Sequence, residues 1–390
     1  MKRGGNGLHV AVRVSERTSG GGRVFANNLV AALASAAGVA KLTVVLLGAT
    51  ASVNYPGAAE VVTVPSAVSA VRRRLGGPQV RNALAGRDVD VLLCPGTELS
   101  VVPGVPSVLW PLTVAPFEPQ ARAVLAGSVH HRVRWLVLRE LVRRACAGAD
   151  GIVYSSHYAR AVHEAASPAL RDKPSTVIWP PPSLPSGSGQ STQSSLPQAK
   201  PYILFVSHLY PYKMVVELVC GFARFAARSA SDHHLVLAGR AVDDDYATQI
   251  RQAIATGGVA DRVQLLGNVD PPRLISLYEG AEFFVFPSIS ENAGSYALID
   301  ALVRGKPVLA SFLSSIPEIC QDAARYIDPR DPEHVAAGMA ALATNSDLRR
   351  ELSVRAAARA AELPSWNELA AELVSFLTSR VARSAREARV

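Results

Sequence analysis

Residues 283–311 read FFVFPSISENAGSYALIDALVRGKPVLAS. The opening Phe283–Pro287 is short and apolar throughout, as a strand buried on both faces must be. Pro307–Ser311 repeats that character after Gly305 and Lys306. Between them a polar loop leads to Ser295, a residue type that caps helix starts, and the pattern then predicts a helix over Ser295–Val303. Strand, loop, helix and strand form the crossover that joins parallel strands, so the stretch predicts an α/β fold.

The same rhythm extends in both directions. Downstream of residue 200, strands are expected at Tyr202–Ser207, Leu235–Gly239 and Val263–Leu266, with helices at Val215–Arg228, Asp244–Ala255 and Pro272–Glu279. After the last strand come helical stretches at Pro332–Ala343, Asp347–Glu362 and Trp366–Val381. In the first half the strand-like runs are Leu8–Val14, Leu42–Leu47, Val89–Cys94, Ser107–Trp110, Gly151–Tyr154 and Thr176–Trp179, with helices such as Arg23–Ala37 and Arg132–Ala147. Residues 180–201 break the rhythm with three consecutive prolines and SGSGQSTQSS, the composition of a flexible linker. The expected layout is therefore a Rossmann-like domain over 1–182, a linker over 183–200, a second Rossmann-like domain over 201–365, and a closing helix with a basic tail over 366–390. Two such domains, each with a mostly parallel sheet, would face a central cleft at the carboxyl ends of their strands.

Composition bounds the function. A chain of 390 residues with 49% hydrophobic and 18% charged residues has enough apolar surface for two cores. No apolar run has the length of a membrane span, and Leu8–Val14 reads as a first strand rather than a secretory signal. The four cysteines, Cys94, Cys146, Cys220 and Cys320, are widely spaced, which favours a reducing cytoplasm over a disulfide framework. Residues 1–182 hold 20 Lys and Arg against 10 Asp and Glu, whereas the rest holds 20 against 22. A basic half of this kind either solubilises the surface or attracts an anionic membrane or phosphorylated acceptor; nucleic acid rests on this charge alone and is not expected. The stretch Arg132–Arg144 mixes cations with large apolar residues, so it either packs one face inward or lies on a membrane.

Two loops carry the chemistry. At the start of the Ser295 helix, the N–H groups of Tyr296, Ala297 and Leu298 would meet a phosphate, and Gly294 would let the ligand approach the backbone. Glu291 stands in the loop and Asp300 projects about one and a half turns into the helix, so two carboxylates would flank a diphosphate. The second loop, Phe205–Lys213, ends in a lysine able to reach the same diphosphate as a point charge. No metal site is expected. There is no HxxxH or clustered cysteine set, and Asp88/Asp90 and Asp243–Asp245 open secondary structure as solvated groups.

Read as a whole, the Pro287–Val308 segment resembles the signature of retaining family 4 glycosyltransferases with the GT-B fold. The Gly305-Lys306-Pro307-Val308 anchor places the second glutamate of that signature on Asp300. Glu291 lies nine positions earlier, one more than the family spacing, so a loop insertion aligns it with the first glutamate and ungapped counting selects Asn292. The resemblance implies that Asp300 grips the donor ribose and that Glu291, with the backbone of Ala293 and Gly294, orients the transferred sugar. Lys213 would neutralise the pyrophosphate, with His208 standing where relatives have arginine, and the backbone of Asn268 and Val269 would meet the base. It further implies that Gly20, Gly21 and Gly22 line the cleft, and that Thr113 stands near the place of a family histidine this chain lacks. His130, His131, His157 and His163 are read as surface or helix residues. The implied reaction moves a sugar with retention from a nucleoside diphosphate sugar to a hydroxyl acceptor, lipid-linked or a growing glycan, in polysaccharide or glycolipid assembly. No cofactor or metal is implied, and the setting is cytoplasmic or peripheral at the inner membrane face. A silent glycosyltransferase-like scaffold and a sugar-nucleotide epimerase are the alternatives.

Overall fold

The computed structural model describes residues 7–15, 21–48, 55, 60–64, 78–125, 129–185, 200–229, 231–292 and 295–387. The chain forms two compact units. One comprises Met1–Phe117, Ser128–Pro181 and Pro364–Val390, and the other Glu118–Gly127 and Pro182–Leu363, so the division is not linear in sequence.

Among the described residues, the first unit holds seven parallel strands: β1 Leu8–Ser15, β2 Val39–Leu47, β3 Glu60–Val64, β4 Val91–Gly96, β5 Ser107–Pro111, β6 Gly151–Tyr154 and β7 Ser175–Val177. Their order is β3-β2-β1-β4-β5-β6-β7, so the winding reverses between β1 and β4. Helix Val129–Gly148 contributes Val142, Ala145 and Cys146 to the core beneath Leu92, Leu109 and Ile152. Helix Trp366–Glu387 belongs to this unit, where Phe376 lies so close to Gly151 that a Cβ there would stand 3.1 Å from the ring.

Among the described residues, the second unit holds six parallel strands: β8 Tyr202–Val206, β9 His234–Ala238, β10 Val263–Gly267, β11 Phe283–Phe286, β12 Val308–Ser311 and β13 Ala324–Ile327. Their order is β10-β9-β8-β11-β12-β13, with the reversal between β8 and β11. All four residues of β11 are buried, as its continuous apolar run demands. Helix Val215–Arg228 buries Leu218, Val219, Phe222 and Phe225 in the same core as Phe205 and Phe283.

The α/β alternation and the parallel sheets agree with the sequence reading; two differences have physical causes. Strands β3 and β13 were not expected because an exposed polar residue inside each, Thr63 and Arg325, interrupts the apolar run on which a buried strand is recognised. The closing helix runs to Glu387 instead of Val381, its basic residues continuing a solvated helix. Of the linker, 186–199 lie outside the described residues, as do Gly20, Ala293 and Gly294 of the site reading.

Candidate functional site

In the second unit, Lys213 and Glu291 meet although 78 residues separate them. Lys213 ends a single 3₁₀ turn, Pro211–Lys213, that follows β8, and Glu291 follows β11. These are the two strands flanking the reversal of winding, where open α/β sheets bind ligands. Met214, with φ 54°, turns the chain sharply into helix Val215–Arg228, whose first amide donates to Tyr246 Oη at 2.9 Å. The turn and the loop are pinned to each other: the Tyr212 carbonyl accepts from Ile289 N at 2.9 Å and from Ser288 Oγ at 3.3 Å. Lys213 Nζ donates to Glu291 Oε1 as a buried ion pair, 5.1 Å from the Phe286 ring centroid and 5.3 Å from that of Tyr212. Burial, and then the Glu291 charge, push the Tyr212 phenol far above its ordinary range, so it stays a neutral wall.

Glu291 is also held through its backbone. Its N–H donates to Ser314 Oγ at 2.8 Å, and its carbonyl lies 2.9 Å from both Ser314 Oγ and Ser315 Oγ. Ser314 sits at φ 60°, a strained conformation for a residue with a side chain, and its hydroxyl lies 2.9 Å from Glu118 Oε1. Glu118 Oε2 accepts from Ser290 Oγ. Glu118 is 2% exposed, so a buried carboxylate from the 118–127 segment braces the loop that carries Glu291. No local signal marked it, because its partners lie more than 170 residues away.

Asp300 is 2% exposed and already satisfied by its own chain. Oδ1 accepts from Ser183 N at 2.9 Å and Leu184 N at 3.1 Å, and Oδ2 accepts from Ser183 Oγ at 2.6 Å. Arg304 reinforces the contact, donating to the carbonyls of Asp300 at 3.1 Å and Pro185 at 2.9 Å. Burial lifts the Asp300 carboxyl above the usual carboxylate range, and the Ser183 and Leu184 hydrogen bonds oppose that shift. The helix start needs a correction. Ala297 N donates to Ser295 Oγ at 3.3 Å and Leu298 N to the Ser295 carbonyl at 2.9 Å, so these two amides have partners within the turn. Ser295 is the N-cap of helix Tyr296–Val303, as its side chain suggested.

His208 lies in the loop after β8. Burial first, and then the positive charges of Arg240 and Lys213, lower its pKa, so the ring is neutral at pH 7 and does not supply the charge of the arginine whose place it takes. Arg240, exposed just after β9, is a cation that the sequence reading missed. Gly239 before it has no alternative: a Cβ there would stand 1.7 Å from Ser207 O. Asn268 and Val269 follow β10, two strands from β8, and the described contacts do not join them to the Lys213–Glu291 pair. In the first unit, Gly21 and Gly22 open helix Gly21–Ala34, and Thr113 is half-buried after β5. His163 is a helix residue, on His157–Ala166, with its side chain turned inward: it is 1% exposed, bonded to the Thr113 backbone, with its ring 4.8 Å from that of Phe117. His157 is exposed, while the side chains of His130 and His131 lie outside the described residues. Among the described residues, no group of three or more His, Cys, Asp or Glu is placed to hold a metal ion, and no helix is long and apolar enough to cross a membrane.

Residues 190–359 match the family described as glycosyl transferases group 1. Over 175 residues the chain is 26% identical to O-antigen chain mannosyltransferase B of Escherichia coli, covering 45% of each protein. Over 199 residues it is 23% identical to phosphatidyl-myo-inositol mannosyltransferase of Mycobacterium leprae, covering 49% of this chain and 51% of that protein. The matches thus span about half the length of these curated relatives. The whole fold is similar to sucrose-phosphate synthase from Thermosynechococcus elongatus, with TM-score 0.76 and 16% identity over 96% of this chain and all of that one. It is also similar to Anabaena HepE solved with UDP and glucose, with TM-score 0.70 and 16% identity over 95% of this chain and 100% of that one. The chain thus has the GT-B fold, and its residues 190–359 are similar to the group 1 glycosyl transferases.

Proposed function

We propose that this protein transfers a sugar, mannose before others, from a nucleoside diphosphate sugar to a hydroxyl of a growing glycan or glycolipid, with retention of configuration. The observation that carries this reading is the buried Lys213–Glu291 pair at the winding reversal of the group 1 unit. Mannose is favoured by the relatives' names, and a nucleoside diphosphate donor by the UDP in the HepE structure.

A buried ion pair is a reserve of charge that a ligand can redistribute. An arriving diphosphate would take Lys213 as its counterion, and Glu291 would then accept hydroxyls of the transferred sugar. Arg240 would supply the second cation that neutral His208 does not. Ser295 Oγ is a weak partner for Ala297 N at 3.3 Å, so a phosphate oxygen could replace it. Ribose would reach Asp300 by displacing Ser183. The acceptor oxygen would then bond to the anomeric carbon on the face that the phosphate leaves, and a phosphate oxygen would take the acceptor proton. No side-chain base and no divalent ion enters this scheme.

The test is a thermal-shift screen with UDP, GDP, ADP and their sugar conjugates, followed by mass spectrometry of donor turnover and NMR of the product's anomeric centre. One nucleotide should stabilise the protein, and Lys213→Gln should abolish the shift. Turnover should survive EDTA. Stabilisation by none of them would remove the reading in favour of a silent scaffold. An inverted product or EDTA-sensitive turnover would remove retention or metal independence alone.

A further inference from the structure

Two energetically unfavourable features meet beside the Lys213–Glu291 pair. Glu118 is a carboxylate at 2% exposure, and burying a carboxylate is unfavourable unless its oxygens are matched. Ser314 holds φ 60°, where a residue with a side chain is strained. The two touch: Ser314 Oγ lies 2.9 Å from Glu118 Oε1, and Ser290 Oγ donates to Glu118 Oε2. Glu118 leads into helix Pro119–Leu125, which falls between β5 and β6 in sequence, belongs to the second unit and packs against the Pro211–Lys213 turn. One short segment thus touches both the turn that carries Lys213 and the loop that carries Glu291.

Packing requires neither feature. Glycine would suit φ 60° without strain, and an apolar residue at position 118 would fill a buried place with no charge to desolvate. Together they fix the backbone at Glu291. Its N–H donates to Ser314 Oγ at 2.8 Å, and its carbonyl is 2.9 Å from the hydroxyls of Ser314 and Ser315. One residue earlier, Ser290 is 4% exposed and anchored to Glu118. The Glu291 carboxylate itself is bonded, among the described residues, to Lys213. Once a donor takes Lys213 as its counterion, the place of that carboxylate is set by the backbone beneath it. A carboxylate on a pinned backbone accepts hydroxyls in one arrangement, whereas one on a loose loop accepts several.

We propose, resting on the glycosyl-transfer reading above, that Glu118 is a positioning residue for the transferred sugar. Through Ser290 and Ser314 it holds Glu291 for one configuration of the sugar's hydroxyls and so sets the choice between epimeric donors. The experiment is calorimetric titration of the full chain with GDP-mannose against GDP-glucose, UDP-glucose against UDP-galactose, and GDP and UDP alone. It compares wild type with Glu118→Ala, Glu118→Gln and Ser314→Gly, the last because glycine keeps the backbone turn while removing the hydroxyl. Wild type should bind one member of an epimeric pair more tightly. Glu118→Ala and Ser314→Gly should weaken that member about tenfold, the scale of one hydrogen bond to a charged group, and bring the pair together while the bare nucleotide keeps its affinity. Glu118→Gln should keep the preference, since its amide oxygen accepts from Ser290 Oγ and its amide N–H donates to Ser314 Oγ. Equal weakening of the nucleotide and both sugar conjugates would make Glu118 merely structural and overturn the assignment. A preference unchanged in Glu118→Ala and Ser314→Gly, a preference lost in Glu118→Gln, or a wild type that binds both epimers alike would overturn it too. All of these leave the transferase reading standing, whereas a wild type that binds no nucleotide removes that reading and the assignment with it. If Glu118→Ala does not fold, Ser314→Gly and Glu118→Gln decide the matter.

Discussion

At the scale of single residues, the site is built from charges that compensate one another before any ligand arrives. Lys213 and Glu291 are both under 10% exposed, so removing one leaves the other buried and unpaired. Lys213→Met is expected to lower stability by about 3 kcal/mol, and adding Glu291→Leu to restore most of that loss, because the desolvation penalty then vanishes for both partners. Urea unfolding of the two variants measures this, and equal instability of the single and double variants would show that the pair is not a unit. Asp300 makes a different prediction. Its carboxylate is bonded to Ser183, a contact that ribose must break under the proposed function. Ser183→Ala removes the hydroxyl competitor and should tighten nucleotide binding, by up to about tenfold, in a calorimetric titration. Weaker binding would mean that Ser183 helps to build the nucleotide site rather than blocking it.

At the scale of elements, helix His157–Ala166 and helix Val129–Gly148 each carry a test. His163, on the first, is buried against Phe117 and Tyr154, and that burial lowers its pKa from 6.5 to about 4. A histidine kept neutral in the fold contributes stability that is present above pH 6.5 and is lost as the pH falls toward 4, where the unfolded chain alone takes up the proton. The loss is on the order of 3 kcal/mol, so His163→Phe, whatever its stability at pH 7, should fall less steeply than wild type between pH 7 and 4.5. Denaturation midpoints across that range decide it. The second helix shows Val133, Leu136 and Val137 to solvent, at 54%, 57% and 43% exposure, beside exposed Arg132 and Arg134. Apolar side chains flanked by arginines suit an anionic lipid surface. The protein should therefore co-sediment with phosphatidylglycerol vesicles, and Val133→Asp with Leu136→Asp should release it. Retention of the double variant would place the membrane contact elsewhere or reduce it to charge.

At the scale of the whole molecule, each unit has its own buried core, one around Leu92, Leu109 and Ile152 and the other around Phe205, Phe222 and Phe283. The residues proposed for the donor all belong to the second unit. Nucleotide at about 100 times its dissociation constant should stabilise that unit by about 2.7 kcal/mol. In scanning calorimetry the heat absorption should separate into two components, with nucleotide moving only the second unit's upward. Equal movement of both would mean that the units unfold together.

The repeated β-strand and helix rhythm was readable because strands buried on both faces need continuous apolar runs, as in Phe283–Phe286, and helices announce their starts with residues such as Ser295. Lys213, Glu291 and Asp300 could be named as candidates because each stands in a local pattern of strand, loop and helix. Strands β3 and β13 were not readable, since exposed Thr63 and Arg325 interrupt their apolar runs. Nor were Glu118 behind the Glu291 loop, Ser183 on Asp300, Arg240 beside His208 or Glu98 on Arg13. Local periodicity reports which face of an element is buried; it carries no information about which residue, tens or hundreds of positions away, is brought against it. The sequence by itself therefore determined the α/β class and where the candidate loops fall between strand and helix, whereas tertiary structure alone decided which charges are paired and which carboxylate is already occupied.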